Sequence, residues 1–249
     1  MRIEKSTGQV PYVLIALCAL AALVYFALKG SLTDDVLAAG FFALLGTFVG
    51  ALLAFRLEEA REKSKEAGRR QGALSRALMV LGAQQNANYG FAKAMRPYHT
   101  DVERATNLQA LQPPEIFQLR QNLDELMFLL EVSDPNLLMD LYLEQERFDQ
   151  TMMAVKMRNE FYVKQFQPAI AGKGLNNREL PIAEIKEAVG EYVFESIVSI
   201  TRGMYFHVYE SEKSIPIVFD HLRTEAKRLY PKVKFIRFDV KEPLPPASV

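Results

Sequence analysis

Chemistry in this chain would have to come from few residues, and their spacing argues against it. Histidine is the side chain best suited to proton transfer and metal ligation near neutral pH, and the chain has His99, His207 and His221. Metal sites built on histidine place ligands three to five residues apart. These three are far more widely separated, so they read as surface or packed residues. Cys18 is the single cysteine, which excludes an intramolecular disulfide and a thiolate cluster. Asp124 and Glu125 are adjacent, so on a helix their carboxylates point apart and share no proton. Gly172-Lys173-Gly174 lacks the spacing of a phosphate-binding loop, and neither a Gly-x-Ser-x-Gly, a His-Glu-x-x-His nor a dinucleotide glycine pattern occurs. The expectation is a non-enzymatic protein with no cofactor and no metal. Met139, Met152, Met153 and Met157 read as adaptable core residues.

The elements that would position any function are more informative. Residues 36–55 form an uncharged run closed by Arg56. At about 1.5 Å per residue such a run spans roughly 30 Å, the hydrocarbon thickness of a bilayer. Ala39, Ala43, Gly46, Gly50 and Ala54 recur along it every three or four residues, with Phe41, Phe48 and Phe55 opposite. One face is shaped for another helix and the other for lipid. Thr47 is the only polar residue of the run, so a pore would need oligomerisation, a small or apolar lining, and gating by dewetting.

Residues 10–28 form a second uncharged run, with Pro11 in its first turn and Tyr12, Tyr25 and Phe26 near its ends. It fits a spanning helix. A cleaved signal peptide would end in a small-x-small site, and a lipoprotein site would want a small residue where Leu17 precedes Cys18; neither fits. The short connection 29–35 imposes an antiparallel hairpin. Arg2 and Lys5 precede the first span and Lys29 alone lies in the loop. Arg56, Arg61, Lys63, Lys65, Arg69, Arg70 and Arg76 follow the second. Both termini are therefore expected in the cytoplasm.

Residues 56–76 carry seven bases and four acids, with supporting pairs such as Glu59–Lys63 and Glu62–Lys65, and read as a solvated helical stalk. Gly68 and Gly72 offer a hinge. Beyond it, helices are expected over 73–95, 115–132, from Asp134-Pro135 to about 163, 181–214 and 216–230. Residues 98–114 and 171–180 read as irregular, and 233–240 as a strand whose internal partner would be 161–166. The fold class is mainly α. It comprises a transmembrane hairpin (1–55), a stalk (56–76) and a helical cytoplasmic domain (77–240) with at most one or two short C-terminal strands. A mobile tail (241–249) follows.

Formal net charge is +0, but the charge is unevenly placed. Residues 115–149 hold nine acids against two bases, and 221–241 seven bases against two acids. Arg223, Lys227, Arg228, Lys232, Lys234 and Arg237 make up a basic patch. The two surfaces are expected to complement each other within the fold or between subunits, and either is a candidate for a protein partner. Nucleic acid is the less favoured partner of the basic stretch, because Tyr230, Phe235 and Phe238 suit a small core. Membrane lipid and further copies of the chain complete the expected partners.

Two membrane helices, a short outer loop and a helical cytoplasmic domain resemble the two-transmembrane effectors of bacterial anti-phage systems, retron-type systems among them. The resemblance is one of layout over the whole chain and carries over no functional residue. It implies a protein held inactive until a trigger is sensed, which then perturbs the inner membrane. The alternative expectation is a passive anchor that presents a helical protein-binding module.

Overall fold

The computed structural model describes residues 24–25, 34–114, 119–174 and 181–237. The described residues are mainly helical and contain no strand. The chain divides into two compact units, Met1–Gly68 and Arg69–Val249. Of the expected first span, Val24 and Tyr25 are described, as helix; the remainder, with residues 29–33 of the connection and the tail 241–249, lies outside the described residues, and Asp34 and Asp35 of the expected connection are helical.

Helix α1 covers Asp34–Met95, and the unit boundary falls within it. In the first unit its apolar side chains are largely exposed among the described residues. Phe41, Phe48 and Phe55 are 48%, 42% and 44% exposed, and none of the apolar window is buried inside the protein. This is a helix long and apolar enough to cross a membrane. The following charged stretch is helical as expected, with Lys63 2.7 Å from Glu59 and Lys65 3.7 Å from Glu62. The helix passes through Gly68 and Gly72 without left-handed backbone at either.

The second unit is a helical assembly around one main core. Leu74, Leu78 and Leu81 of α1 are fully buried there. Each contributes about 1.5–3 kcal/mol through burial. Helix α2 (Asp101–Asn107) follows Pro97, where an irregular connection was expected. A capping box explains it: Thr100 Oγ accepts from the Glu103 N–H at 3.2 Å, and Glu103 accepts from the Thr100 N–H at 3.1 Å.

The helix expected over 115–132 is not continuous. Residues 115–118 lie outside the described residues, a 3₁₀ turn occupies Leu123–Leu126, and α3 is only Leu129–Val132. Helix α4 (Pro135–Phe161) starts as expected, with Asp134 accepting from the Asn136 N–H at 3.0 Å and Pro135 in the first turn.

The candidate strand partner 161–166 is helical: a π turn over Tyr162–Phe166 leads into α5 (Gln167–Gly172). Pro168 has no N–H to offer the preceding turn, and the ladder widens just before it. Helix α6 (Ile182–Val189) ends at Gly190, whose φ of 83° and ψ of 153° suit glycine alone. That break divides the expected 181–214 helix. The break expected at Pro216 is absent, because α7 runs through it as Glu191–Leu229. An interior proline costs about 3 kcal/mol. Burial of Ile215, Phe219 and Leu222 around it offsets that.

The strand expected over 233–240 does not form within 233–237, and 238–240 lie outside the described residues. With no partner strand, the segment folds onto α7: Phe235 enters the core, and Arg223 Nε donates to the Ile236 carbonyl at 3.0 Å. Helix α4 packs along α7, and a smaller core joins Ala105, Phe166, Ile185, Phe194 and Ile197.

The expected methionine core also needs correction. Met152 is fully buried, but Met139, Met153 and Met157 are 57%, 67% and 52% exposed on the outer side of α4.

Candidate functional site

The small-residue face of α1 is open along its length. Ala39, Ala43, Gly46, Gly50 and Ala54 are exposed, and a methyl group placed on Gly46 or Gly50 would meet nothing within 4 Å. Thr47 Oγ donates to the Ala43 carbonyl at 2.8 Å, so its hydroxyl is satisfied by its own helix and lines nothing. What the face offers is close backbone approach to a neighbouring helix.

The basic patch is partly structural. Arg223 pins the terminal segment through Ile236, and Arg228 Nη2 donates to the Val132 carbonyl at 2.6 Å, satisfying the C-terminal end of α3. Arg228 also pairs with Glu225 at 2.8 Å, and Glu225 accepts from Ser133 at 2.8 Å. Burial pushes the Glu225 carboxyl up; Ser133 and Arg228 outweigh that and hold it below the usual value. Lys227, Lys232 and Lys234 are exposed and form no ion pair with a described residue, and Arg237 is exposed beside them. Phe235 faces the core, and Tyr230 and Val233 pack against it.

The acidic segment is paired in part with arginines outside the basic stretch. Glu125 pairs with Arg76, Asp149 with Arg120 at 2.8 Å, and Asp134 caps α4. Among the described residues its ion-pair geometry with the basic stretch is Asp140 to His221 Nδ1 at 3.6 Å, a charge pair only when the imidazole is protonated. Asp124, Glu131 and Glu146 remain exposed.

The sequence-level chemistry candidates stay apart. His99 is exposed, His207 is half-buried, and His221 faces Asp140. Asp124 points to solvent while Glu125 faces Arg76. Gly174, with φ of 68°, closes a turn after α5 in which its N–H donates to the Ala171 carbonyl, so that donor is not free to cradle a phosphate. No group of three or more metal-ligating side chains occurs among the described residues.

Three charged side chains buried among the described residues escaped the sequence reading: Arg104, which pairs with Asp101 at 3.2 Å, Arg158 and Glu144. Arg158 is fully buried on α4, donating to the carbonyls of Gln109 at 2.9 Å, Ala105 at 3.3 Å and Leu108, with its guanidinium 4.4 Å from the Tyr162 ring centre. Burial lowers its pKa to about 10, so it stays charged at neutral pH and ties the end of α2 to α4. Glu144 is fully buried too; burial raises its pKa against the opposing effects of Ser214 Oγ at 2.9 Å and Arg147 at 3.3 Å. Helical periodicity places charges on the surface, so no sequence signal marks either Arg158 or Glu144. The capping box Thr100-x-x-Glu103, by contrast, was there to be read.

No protein-family model, curated protein or solved structure matches the chain.

Proposed function

We propose that the protein is a non-enzymatic, two-pass inner-membrane effector. It oligomerises through α1, and its helical cytoplasmic domain controls membrane permeability, with anti-phage defence as the setting. The observation that carries this reading is the exposed, uncharged run 36–55 of α1. A run of about twenty residues, apolar but for Thr47 and exposed among the described residues, needs lipid or another helix for cover. The ridge from Ala39 to Ala54 supplies the helix-binding face. The bases from Arg56 onward place the following domain in the cytoplasm. In this reading residues 10–28 form the first span and both termini are cytoplasmic. Gly68 and Gly72 are where α1 yields to the domain.

The test is growth and membrane potential on expression of the full chain. Wild type depolarises cells, while Gly46→Leu and Gly50→Leu insert normally, lose oligomerisation and leave the potential intact. Depolarisation by a monomer, or oligomers unaffected by both substitutions, sinks the proposal.

The exposed Met139, Tyr142, Leu143, Met153 and Met157 on α4 favour a second reading, a passive anchor presenting a protein-binding module. Harmless expression together with a co-purifying partner lost on truncation of residues 115–149 would favour the anchor.

A further inference from the structure

The buried face of α1 changes character midway. Leu74, Leu78 and Leu81 are fully buried, then Gln84, Gln85 and Asn88 are buried, then Phe91, Ala92 and Met95. The three carboxamides are poorly matched. Gln84 Nε2 donates to the Leu119 carbonyl at 2.7 Å and to Gln145 Oε1 at 3.0 Å, while its own oxygen receives no donor. Asn88 Nδ2 donates to the Val208 carbonyl at 2.8 Å, and its oxygen is likewise bare. The buried oxygen of Gln85 has no partner at all.

Facing Gln85 across a cavity of about 10 Å³ are Ile215, Pro216 and Phe219 of α7. Pro216 carries no N–H, so α7 lacks the donor that would reach the Glu212 carbonyl. Helix α1 thus presents bare side-chain acceptors at the level where α7 lacks one backbone donor. The cavity has room for about one water molecule. A partly satisfied polar layer holds less well than the apolar layers flanking it. A helix without one rung bends there most readily.

We infer that this layer is a yielding joint of the soluble unit. Helix α7 flexes at Pro216, and α1 parts from it at Gln85 and Asn88, while the leucine layer before it and the Phe91–Met95 layer after it stay packed. Use of the joint to release α1 rests on the effector reading; the joint itself does not. Val208 lies inside α7, where its carbonyl also receives the N–H four residues on, so removing the Asn88 amide orphans nothing there.

Hydrogen exchange on the full-length protein in lipid nanodiscs tests it. Peptides covering 82–90 and 212–220 should exchange at least about tenfold faster than those covering 137–155. Pro216→Ala alone, which restores a donor, and Gln85→Leu alone, which removes a bare acceptor, should each slow those two regions together by a similar factor and leave 137–155 unchanged. Equal rates in wild type, or no slowing in either variant, overturn the joint. Depolarisation is read in the same variants. Loss of it with the joint slowed supports release through this layer, and full depolarisation with the joint slowed overturns that use. If wild type does not depolarise, the effector reading fails while the exchange rates still decide the joint.

Discussion

Glu144 shows how one buried carboxyl contributes to the pH response of the second unit. Its carboxyl is raised by burial, so the folded chain holds its proton more tightly than the unfolded chain does. The stabilisation linked to this is therefore complete below the unfolded carboxyl value and is lost as pH rises through the higher folded value. Once ionised, the carboxylate is buried with Ser214 and a half-exposed Arg147 as its partners. Glu144→Gln keeps an acceptor for Ser214 and removes the charge. It should raise the melting temperature by a few degrees at neutral pH, and the gain should vanish near pH 4, about where free carboxyls titrate. A lowered melting temperature at neutral pH would contradict this. At the same scale, Asp134-Pro135 announced its helix, and Thr100-x-x-Glu103 carried a signal as plain. Arg158 and Glu144 did not, because their burial depends on which carbonyls and hydroxyls other helices bring to them.

Among the elements, apolar periodicity located α1, α4 and the body of α7, and punctuation was read less well. Proline at 216 looked like a boundary, but burial of its neighbours outweighs the lost rung. The true break is Gly190, where a positive φ stops one helix and starts the next. The strand reading of 233–237 failed for want of a neighbour: an alternating run makes a strand only beside another strand, and the chain offers helix at 161–166. Gly68 and Gly72 lie inside regular helix with space for a methyl group; the nearest atom to one on Gly72 is Arg76 Nη1 at 3.4 Å. Alanine there adds up to about 1 kcal/mol of helix propensity at each position. Gly68→Ala/Gly72→Ala should therefore raise the melting temperature by up to roughly 4–8 °C. If the glycines are where α1 yields, the double variant should also depolarise cells less than wild type. Undiminished depolarisation would remove them from the mechanism.

For the whole molecule, what the sequence disclosed was disposition more than chemistry. The uncharged run, its small-residue ridge and the bases that follow it were all legible. The structure adds that, among the described residues, this run of α1 is exposed and that its single hydroxyl is already satisfied. The two charged surfaces were legible as composition but not as pairing, since the acidic segment draws on Arg76, Arg120 and Arg147, and the basic one is spent partly on holding the C-terminal segment. The central claim remains that copies of the chain meet in the membrane along the ridge. The most direct measurement is disulfide crosslinking of single cysteines placed through residues 39–55, in a Cys18→Ser background and in native membranes. The account predicts efficient dimers from cysteine at Ala43, Gly46 and Gly50 and few from Phe41 and Phe48. A profile that is flat along the helix, or one that peaks at the phenylalanines, would contradict it.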